Sequence, residues 1–147
     1  MSNAASEIAH EFLAVVWQGE APDEPTLLRA LDRLLSRSHE VPYANCADED
    51  LEPPEVDGAA LFQETALRFP DLGMYPVSDP LASMDDDRML AGAIDDLADI
   101  TKDLREVAWR DEHLGPDDAA WCFRLLYFHW ARHARELSLY LHARQFG

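Results

Sequence analysis

Residues 121–142, WCFRLLYFHWARHARELSLYLH, form the stretch that decides the fold. When this stretch is placed on a helix at about 100° per residue, its apolar side chains share one broad face. His129, His133 and Glu136 fall in the middle of that face. A buried polar group without a partner costs about 1–3 kcal/mol, so each of these side chains requires a partner elsewhere in the chain. The pattern predicts a long terminal helix whose neighbours supply polar contacts. The apolar set is Trp121, Cys122, Leu125, Leu126, Trp130, Leu137 and Tyr140.

Composition limits the classes of protein that this chain can represent. Of its 147 residues, 48% are hydrophobic, which is enough for a packed core. Its 12 basic and 29 acidic residues give a net charge of −17, which argues against binding to nucleic acid or to an anionic membrane. No apolar run approaches the roughly 18 residues that span a bilayer, and no signal peptide precedes the first helix. The cysteines, Cys46 and Cys122, are too few for a disulfide framework, so we expect one cytoplasmic domain over residues 1–147.

The apolar spacing predicts an all-α bundle of about five helices and no strand of useful length. The last two helices are long and are joined by Leu114-Gly115-Pro116, a turn short enough to make them an antiparallel hairpin. The connection over residues 70–84 carries apolar residues, so we expect it to lie on the bundle. The predicted helices cover residues 5–18, a segment that begins at Pro25, and residues 57–69, 85–112 and 116–146.

An acidic ridge runs along the fourth predicted helix. Asp96, Asp99 and Asp103 lie beside its core stripe, about 40–60° wide on a helical projection. In the hairpin this acidic ridge faces the last helix, where it can meet the two histidines, Arg132 or Arg135. Because a buried histidine needs a polar partner, we expect the acidic ridge to provide it.

Two motifs in these helices resemble a known family. They are residues 95–100, DDLADI, followed by Asp103-Leu104, and residues 128–133, FHWARH, followed by Leu141-His142. The pair is similar to a bacterial family known as domain of unknown function 5063, and the likeness is strongest over the last 50–60 residues or so. The resemblance implies an all-helical cytosolic domain without an established activity, and it implies no catalytic residues.

A metal site and a polar network are the two interpretations of the terminal helix. Cys122, His129, His133 and Glu136 fall within about 60° of one face, and histidines four residues apart let one helix supply two metal ligands. The acidic ridge or Glu11 can complete an N/O shell. The simpler interpretation is that the histidines are core polar groups bonded to the acidic ridge. The twin Glu-x-x-His pattern of di-iron bundles is absent, so no cofactor is predicted, and a divalent metal is the alternative.

The acidic ridge also resembles part of the Mg²⁺ site of a known class of hydrolase. All-helical nucleotide pyrophosphohydrolases of the MazG type hold Mg²⁺ with Glu-x-x-Glu on one helix and Glu-x-x-Asp on the next. Asp96-x-x-Asp99 resembles half of that arrangement. The other half is missing, because Glu49-x-x-Glu52 lies in a loop before Pro53.

Aromatic residues favour self-association. Trp121 and Trp130 lie about 180° apart on the predicted terminal helix, at opposite edges of its broad apolar face, so they point to opposite sides and cannot both occupy one seam within the protomer. An exposed aromatic patch marks an interface. We therefore predict a homodimer through a patch that includes these two side chains, Phe123 and Tyr75.

These patterns favour a non-enzymatic interaction or adaptor domain with an unidentified protein partner. The alternative is a metal-dependent hydrolase that uses His129, His133 and the acidic ridge. The two differ in one structural respect, because an enzyme needs an open pocket beside these residues whereas a structural network is closed and dry.

Overall fold

The computed structural model describes residues 4–147, which form six α-helices, a short 3₁₀ helix and one two-stranded antiparallel sheet. The all-α prediction is confirmed, because the two strands in this part of the chain have only four residues each. Among the helices of residues 4–147, none is long and apolar enough to cross a membrane. The elements are α1 (Ala4–Trp17), α2 (Glu24–Arg37), the 3₁₀ helix (Ser38–Glu40), α3 (Gly58–Arg68), β1 (Met74–Val77), β2 (Met89–Gly92), α4 (Ala93–Leu114), α5 (Pro116–Leu125) and α6 (Tyr127–Phe146).

Helix α4 is the element on which the others assemble. It contacts α1, α3, α5 and α6, and α2 packs on α1 and α6. Its fully buried side chains Leu97, Ile100 and Leu104 belong to a core that all of these helices except α3 share. Gly115 makes the turn to α5 with a φ of 99°, a conformation that favours glycine, and Pro116 begins α5.

The prediction of one continuous terminal helix is wrong at Leu126, where α5 ends before α6 begins. The Trp130 indole N–H donates to the Phe123 carbonyl at 3.2 Å. In a continuous helix that carbonyl would accept the amide of Tyr127, and here the indole occupies this main-chain acceptor at the break. Cys122 of α5 and His129 of α6 still face the same helix, because their partners Glu106 and Asp103 lie three residues apart on α4.

The predicted start of the fourth helix at residue 85 is also wrong, because α4 begins at Ala93. The residues just before it form β2, which pairs with β1 in antiparallel register from Met74 opposite Gly92 to Val77 opposite Met89. The buried ring of Tyr75 and the buried Leu72 place the connection over residues 70–84 on the bundle, as expected.

In the segment before β2, hydrogen bonds from side chains to the local main chain form turns in place of a helix. The amide of Ser83 donates to the Asp86 carboxylate at 3.2 Å, and the amide of Leu81 donates to the Asp79 carboxylate at 2.9 Å. Short polar side chains that bond the local main chain compete with helix formation. The acidic run at residues 85–87 therefore lies in the loop of a β-hairpin.

Candidate functional site: a histidine–aspartate network beside an apolar groove

Three aspartates of α4 meet two histidines of α6 in what we call the histidine–aspartate network. His133 Nδ1 lies 2.7 Å from Asp96 Oδ1, and His133 Nε2 lies 3.1 Å from Asp99 Oδ2. His129 Nδ1 lies 2.6 Å from Asp103 Oδ2, and its Nε2 lies 3.8 Å from the same Asp99 oxygen. Spacings of three and four residues keep each set on one helix face, so the packing of α4 on α6 brings the two sets together.

Asp96 is the buried anchor of this network, with 1% of its surface exposed. One of its carboxylate oxygens faces His133, and the other accepts a hydrogen bond from the Tyr75 hydroxyl. Tyr75 belongs to β1 and stacks on Tyr140 of α6 with ring centroids 4.5 Å apart. Burial, reinforced by the Asp96 hydrogen bond, raises the pKa of Tyr75, so its hydroxyl remains a donor. One carboxylate thus connects β1, α4 and α6.

His133 has a carboxylate at each ring nitrogen. An imidazole donates from both nitrogens only when it is protonated, so this geometry favours the imidazolium. Its hydrogen bonds to Asp96 and Asp99 raise the pKa of His133 to about 10. The hydrogen bond to His133 in turn lowers the pKa of Asp99. The network therefore holds a positive charge between two carboxylates at neutral pH.

The stability of the protein is expected to fall as the pH rises through the titration of His133. Its pKa rises from 6.5 in the unfolded chain to about 10 in the folded protein, so its contribution is complete below pH 6.5, declines above it and is lost beyond pH 10. The loss should be about 1.5–3 kcal/mol, the range for hydrogen bonds to charged groups. Urea unfolding at a series of pH values measures it.

A His133→Gln variant provides the control for that pH series. Burial also raises the pKa of the Cys122 thiol, which lowers stability above pH 9 in both proteins. The difference between the two curves therefore isolates His133. If the free energies of unfolding of the two proteins change in parallel from pH 6 to pH 10, the pKa of His133 is the same in the folded and the unfolded chain, which would contradict the prediction.

Two residues predicted for this cluster have other partners. The Cys122 thiol donates to Glu106 Oε2 at 3.3 Å, about one turn along α4 from the Asp103 that meets His129. Cys122 is therefore buried and bonded beside the network rather than to one of its members. Glu136 lies on α6 but its Oε1 accepts from Arg132 Nε at 2.5 Å, along the same helix. Among residues 4–147, the carboxylates within ion-pair distance of the two histidines belong to the acidic ridge.

The surroundings of Asp96 argue against a Mg²⁺ site built on Asp96 and Asp99. Both oxygens of Asp96 are hydrogen-bonded, one to His133 and the other to Tyr75. Asp96 is also 1% exposed, whereas Mg²⁺ usually keeps several of its water ligands, so this carboxylate is poorly placed to bind it. The half-motif that resembles a pyrophosphohydrolase is therefore not free in this arrangement.

The predicted aromatic interface is wrong in its membership. Phe123 and Trp130 are fully buried with ring centroids 4.8 Å apart, and Tyr75 is buried against α4. Trp121 is half-buried, with the Arg110 guanidinium 5.4 Å from its ring centroid. Phe123 and Trp130 fill the protomer's own core, and Tyr75 is only 8% exposed, so these three side chains do not form an exposed aromatic patch. The homodimer itself stays a prediction, but its interface would have to consist of other residues.

An open groove that the sequence did not predict lies between β1, the loop after it and α6. It has a volume of about 880 Å³, and three arginines, Arg132, Arg135 and Arg144, stand along its α6 wall. We call it the arginine groove. In the sequence, the apolar residues of the connection over residues 70–84 were the pattern that could have indicated this groove. Its apolar lining comes mainly from Met74, Pro76, Val77, Pro80, Leu139 and Ala143.

A second cavity lies on the other side of β1. Its volume is about 650 Å³, and its lining is mainly apolar side chains of α3, the sheet and α4. Asp96 and His133 reach it from the network, and Glu136 of α6 lines it beside them. The histidine–aspartate network is therefore open on this side rather than sealed within the helices, and this opening meets the structural condition stated above for the hydrolase alternative.

Comparisons with known proteins show the fold alone. No protein-family model matches the sequence, and no curated protein matches it. Among solved structures, the crystal structure of protein BF1032 from Bacteroides fragilis is similar, with a TM-score of 0.73 and 18% sequence identity. The likeness covers 98% of this chain and 91% of that chain. This chain and BF1032 therefore share a helical architecture. The resemblance to the domain of unknown function 5063 family stays a prediction.

Proposed function

We propose that the protein is a non-enzymatic interaction domain of the cytoplasm. We further propose that the arginine groove binds an apolar, acidic peptide segment of a partner protein. The observation that carries this proposal is the combination of an apolar floor with three arginines in a chain whose net charge is −17. Cys46 and Cys122 are free thiols, which is typical of a reducing compartment.

The apolar part of the groove supplies a driving force for binding. Leu139 projects from α6 with 70% of its surface exposed, and Met74 lies across from it on β1 with 64% exposed. Contiguous exposed apolar surface in a folded domain marks an interaction site. Burying one such side chain contributes about 1.5–3 kcal/mol.

The arginines supply the preference for acidic groups. Arg132 is paired with Glu136, and Arg144 holds Glu24 through two hydrogen bonds of 2.6 and 3.0 Å. Arg135 donates to the Tyr127 hydroxyl at 3.1 Å, and no carboxylate of residues 4–147 lies within ion-pair distance of it. A guanidinium without an acidic partner can form charge-assisted hydrogen bonds with an incoming carboxylate. Arg135 is therefore the side chain that favours an acidic ligand.

Selection of short random peptides displayed on phage, with the full chain as the target, tests this proposal. The selected peptides should combine Asp or Glu with Leu, Ile, Met or Phe. Their affinity, measured by fluorescence anisotropy on synthesised peptides, should fall about 10-fold or more in Arg135→Glu and in Leu139→Asp, since each loses about 1.4 kcal/mol or more. Arg88→Glu is the matched control, because Arg88 is exposed and lies outside the groove.

Two results would overturn the proposal. One is a set of selected peptides that are basic, or that bind Arg135→Glu and Arg88→Glu equally well. The other is self-association, measured by sedimentation equilibrium, that Leu139→Asp abolishes. That second result would assign the groove to a second copy of the chain.

A further inference from the structure

We propose that Asp99, His129 and His133 bind one divalent transition-metal ion of the Zn²⁺ class. This site is separate from the arginine groove, and it goes beyond the peptide binding proposed above. The three residues come from adjacent helices, with the carboxylate on α4 and both imidazoles on α6.

The three donor atoms already converge. Asp99 Oδ2 lies 3.1 Å from His133 Nε2 and 3.8 Å from His129 Nε2, and all three ligand atoms lie within 4.8 Å of one another. Zinc bound to nitrogen and oxygen at about 2.0–2.2 Å in a tetrahedron places its ligand atoms roughly 3.3 Å apart. The observed separations from Asp99 lie on either side of that value. Small rotations of the imidazole rings would bring the atoms around one ion.

The second nitrogen of each ring is already held by a carboxylate. His129 Nδ1 lies 2.6 Å from Asp103 Oδ2, and His133 Nδ1 lies 2.7 Å from Asp96 Oδ1. Metal-binding histidines almost always donate their other N–H to a carboxylate, a carbonyl or water, which sets the tautomer and the ring orientation. Asp96 and Asp103 are buried, and Asp96 is itself held by the Tyr75 hydroxyl. This arrangement directs both Nε2 atoms toward Asp99.

Charge and access also fit a cation. The three carboxylates around the two imidazoles leave the cluster with an excess of negative charge, whatever the protonation of the rings. An ion would replace the proton that lies between His133 Nε2 and Asp99. The side chains of His129 and Asp99 are 38% and 32% exposed, so an ion can enter and a water molecule can complete the tetrahedron.

Isothermal titration calorimetry of the full chain, first treated with chelator, tests the site with ZnCl₂ and with MgCl₂. We expect one Zn²⁺ per chain and much weaker binding of Mg²⁺, because imidazole ligands favour zinc. His129→Ala and Asp99→Asn should each weaken Zn²⁺ binding at least about 10-fold, and Asp103→Asn should weaken it about 10–100-fold without touching the ion. His142→Ala removes an exposed histidine of α6 outside the cluster, and it should leave the affinity unchanged.

Several results would overturn the proposal. These are the absence of saturable Zn²⁺ binding, an equal loss in His142→Ala and His129→Ala, or an unchanged affinity in Asp103→Asn. If a variant does not fold, the visible spectrum of the wild-type chain with Co²⁺ decides. Intense bands of a four- or five-coordinate ion support the site, whereas the weak spectrum of Co²⁺ in buffer would reject it.

Discussion

Replacing Asp96 with alanine is expected to lower the free energy of unfolding by about 3–5 kcal/mol, the range for a buried ion pair that loses one partner. Asp96 accepts hydrogen bonds from His133 and from the Tyr75 hydroxyl while itself being buried. Its removal leaves a buried hydroxyl without an acceptor, and it leaves an imidazolium with one carboxylate instead of two. The loss should also loosen β1 from α4 and α6. Urea unfolding monitored by tryptophan fluorescence measures the effect.

The neighbouring Asp95 supplies a matched control for this change. It has the same side chain, but it is exposed and its carboxylate makes no hydrogen bond within residues 4–147. Asp95→Ala should change the free energy of unfolding by less than about 0.5 kcal/mol. Tyr75→Phe removes only one of the two hydrogen bonds to Asp96, and it should cost about 1 kcal/mol. Equal effects of Asp95→Ala and Asp96→Ala would contradict the anchoring role of Asp96.

Replacing Trp130 with alanine is the second change with a large expected effect. Its side chain is fully buried, its ring lies 4.8 Å from that of Phe123 and 5.2 Å from that of Tyr127, and its indole N–H holds the Phe123 carbonyl. The substitution leaves a large cavity and removes the hydrogen bond to the Phe123 carbonyl where α5 meets α6. We expect a loss of about 3–5 kcal/mol in the free energy of unfolding, measured by urea unfolding followed by circular dichroism.

Phe128 offers the comparison for the Trp130 variant. It lies two residues away on the same helix, but 76% of its surface is exposed. Phe128→Ala should change the free energy of unfolding by less than about 0.5 kcal/mol. A Trp130→Ala protein as stable as this control would show that the ring does not fill the core.

The contact between α4 and α6 could be predicted because its pattern is local. His129 and His133 are four residues apart, and Asp99 and Asp103 are too, so a helical period alone places each pair on one face. The short turn at Gly115 then sets the two helices antiparallel. Which histidine meets which aspartate could not be predicted, because that depends on how far one helix slides along the other.

The end of α5 at Leu125 shows what the same reasoning missed in the terminal helix. A helical projection assumes an uninterrupted period, and the period is interrupted at Leu126. At this point the Trp130 indole donates a hydrogen bond to the Phe123 carbonyl. A side chain that takes a main-chain acceptor leaves no mark in the hydrophobic pattern.

Sequence periodicity could not predict the β-hairpin and the arginine groove, for a different reason. Each strand has four residues, and β1 contains Pro76, a residue that ordinarily argues against a strand. The hairpin is held to the helices by the contact of Tyr75 with Asp96, residues 21 positions apart. The groove exists only because β1 lies beside α6, so it depends on that same long-range contact.

Nitrogen-15 NMR of the histidine side chains in the metal-free protein at pH 8 tests the histidine–aspartate network most directly. A histidine without partners has a pKa of about 6.5 and is neutral at this pH. His133 should instead show both ring nitrogens protonated, because Asp96 and Asp99 accept from both of them and raise its pKa to about 10. His133→Gln assigns the signal. A His133 ring that is neutral at pH 8 would contradict the network.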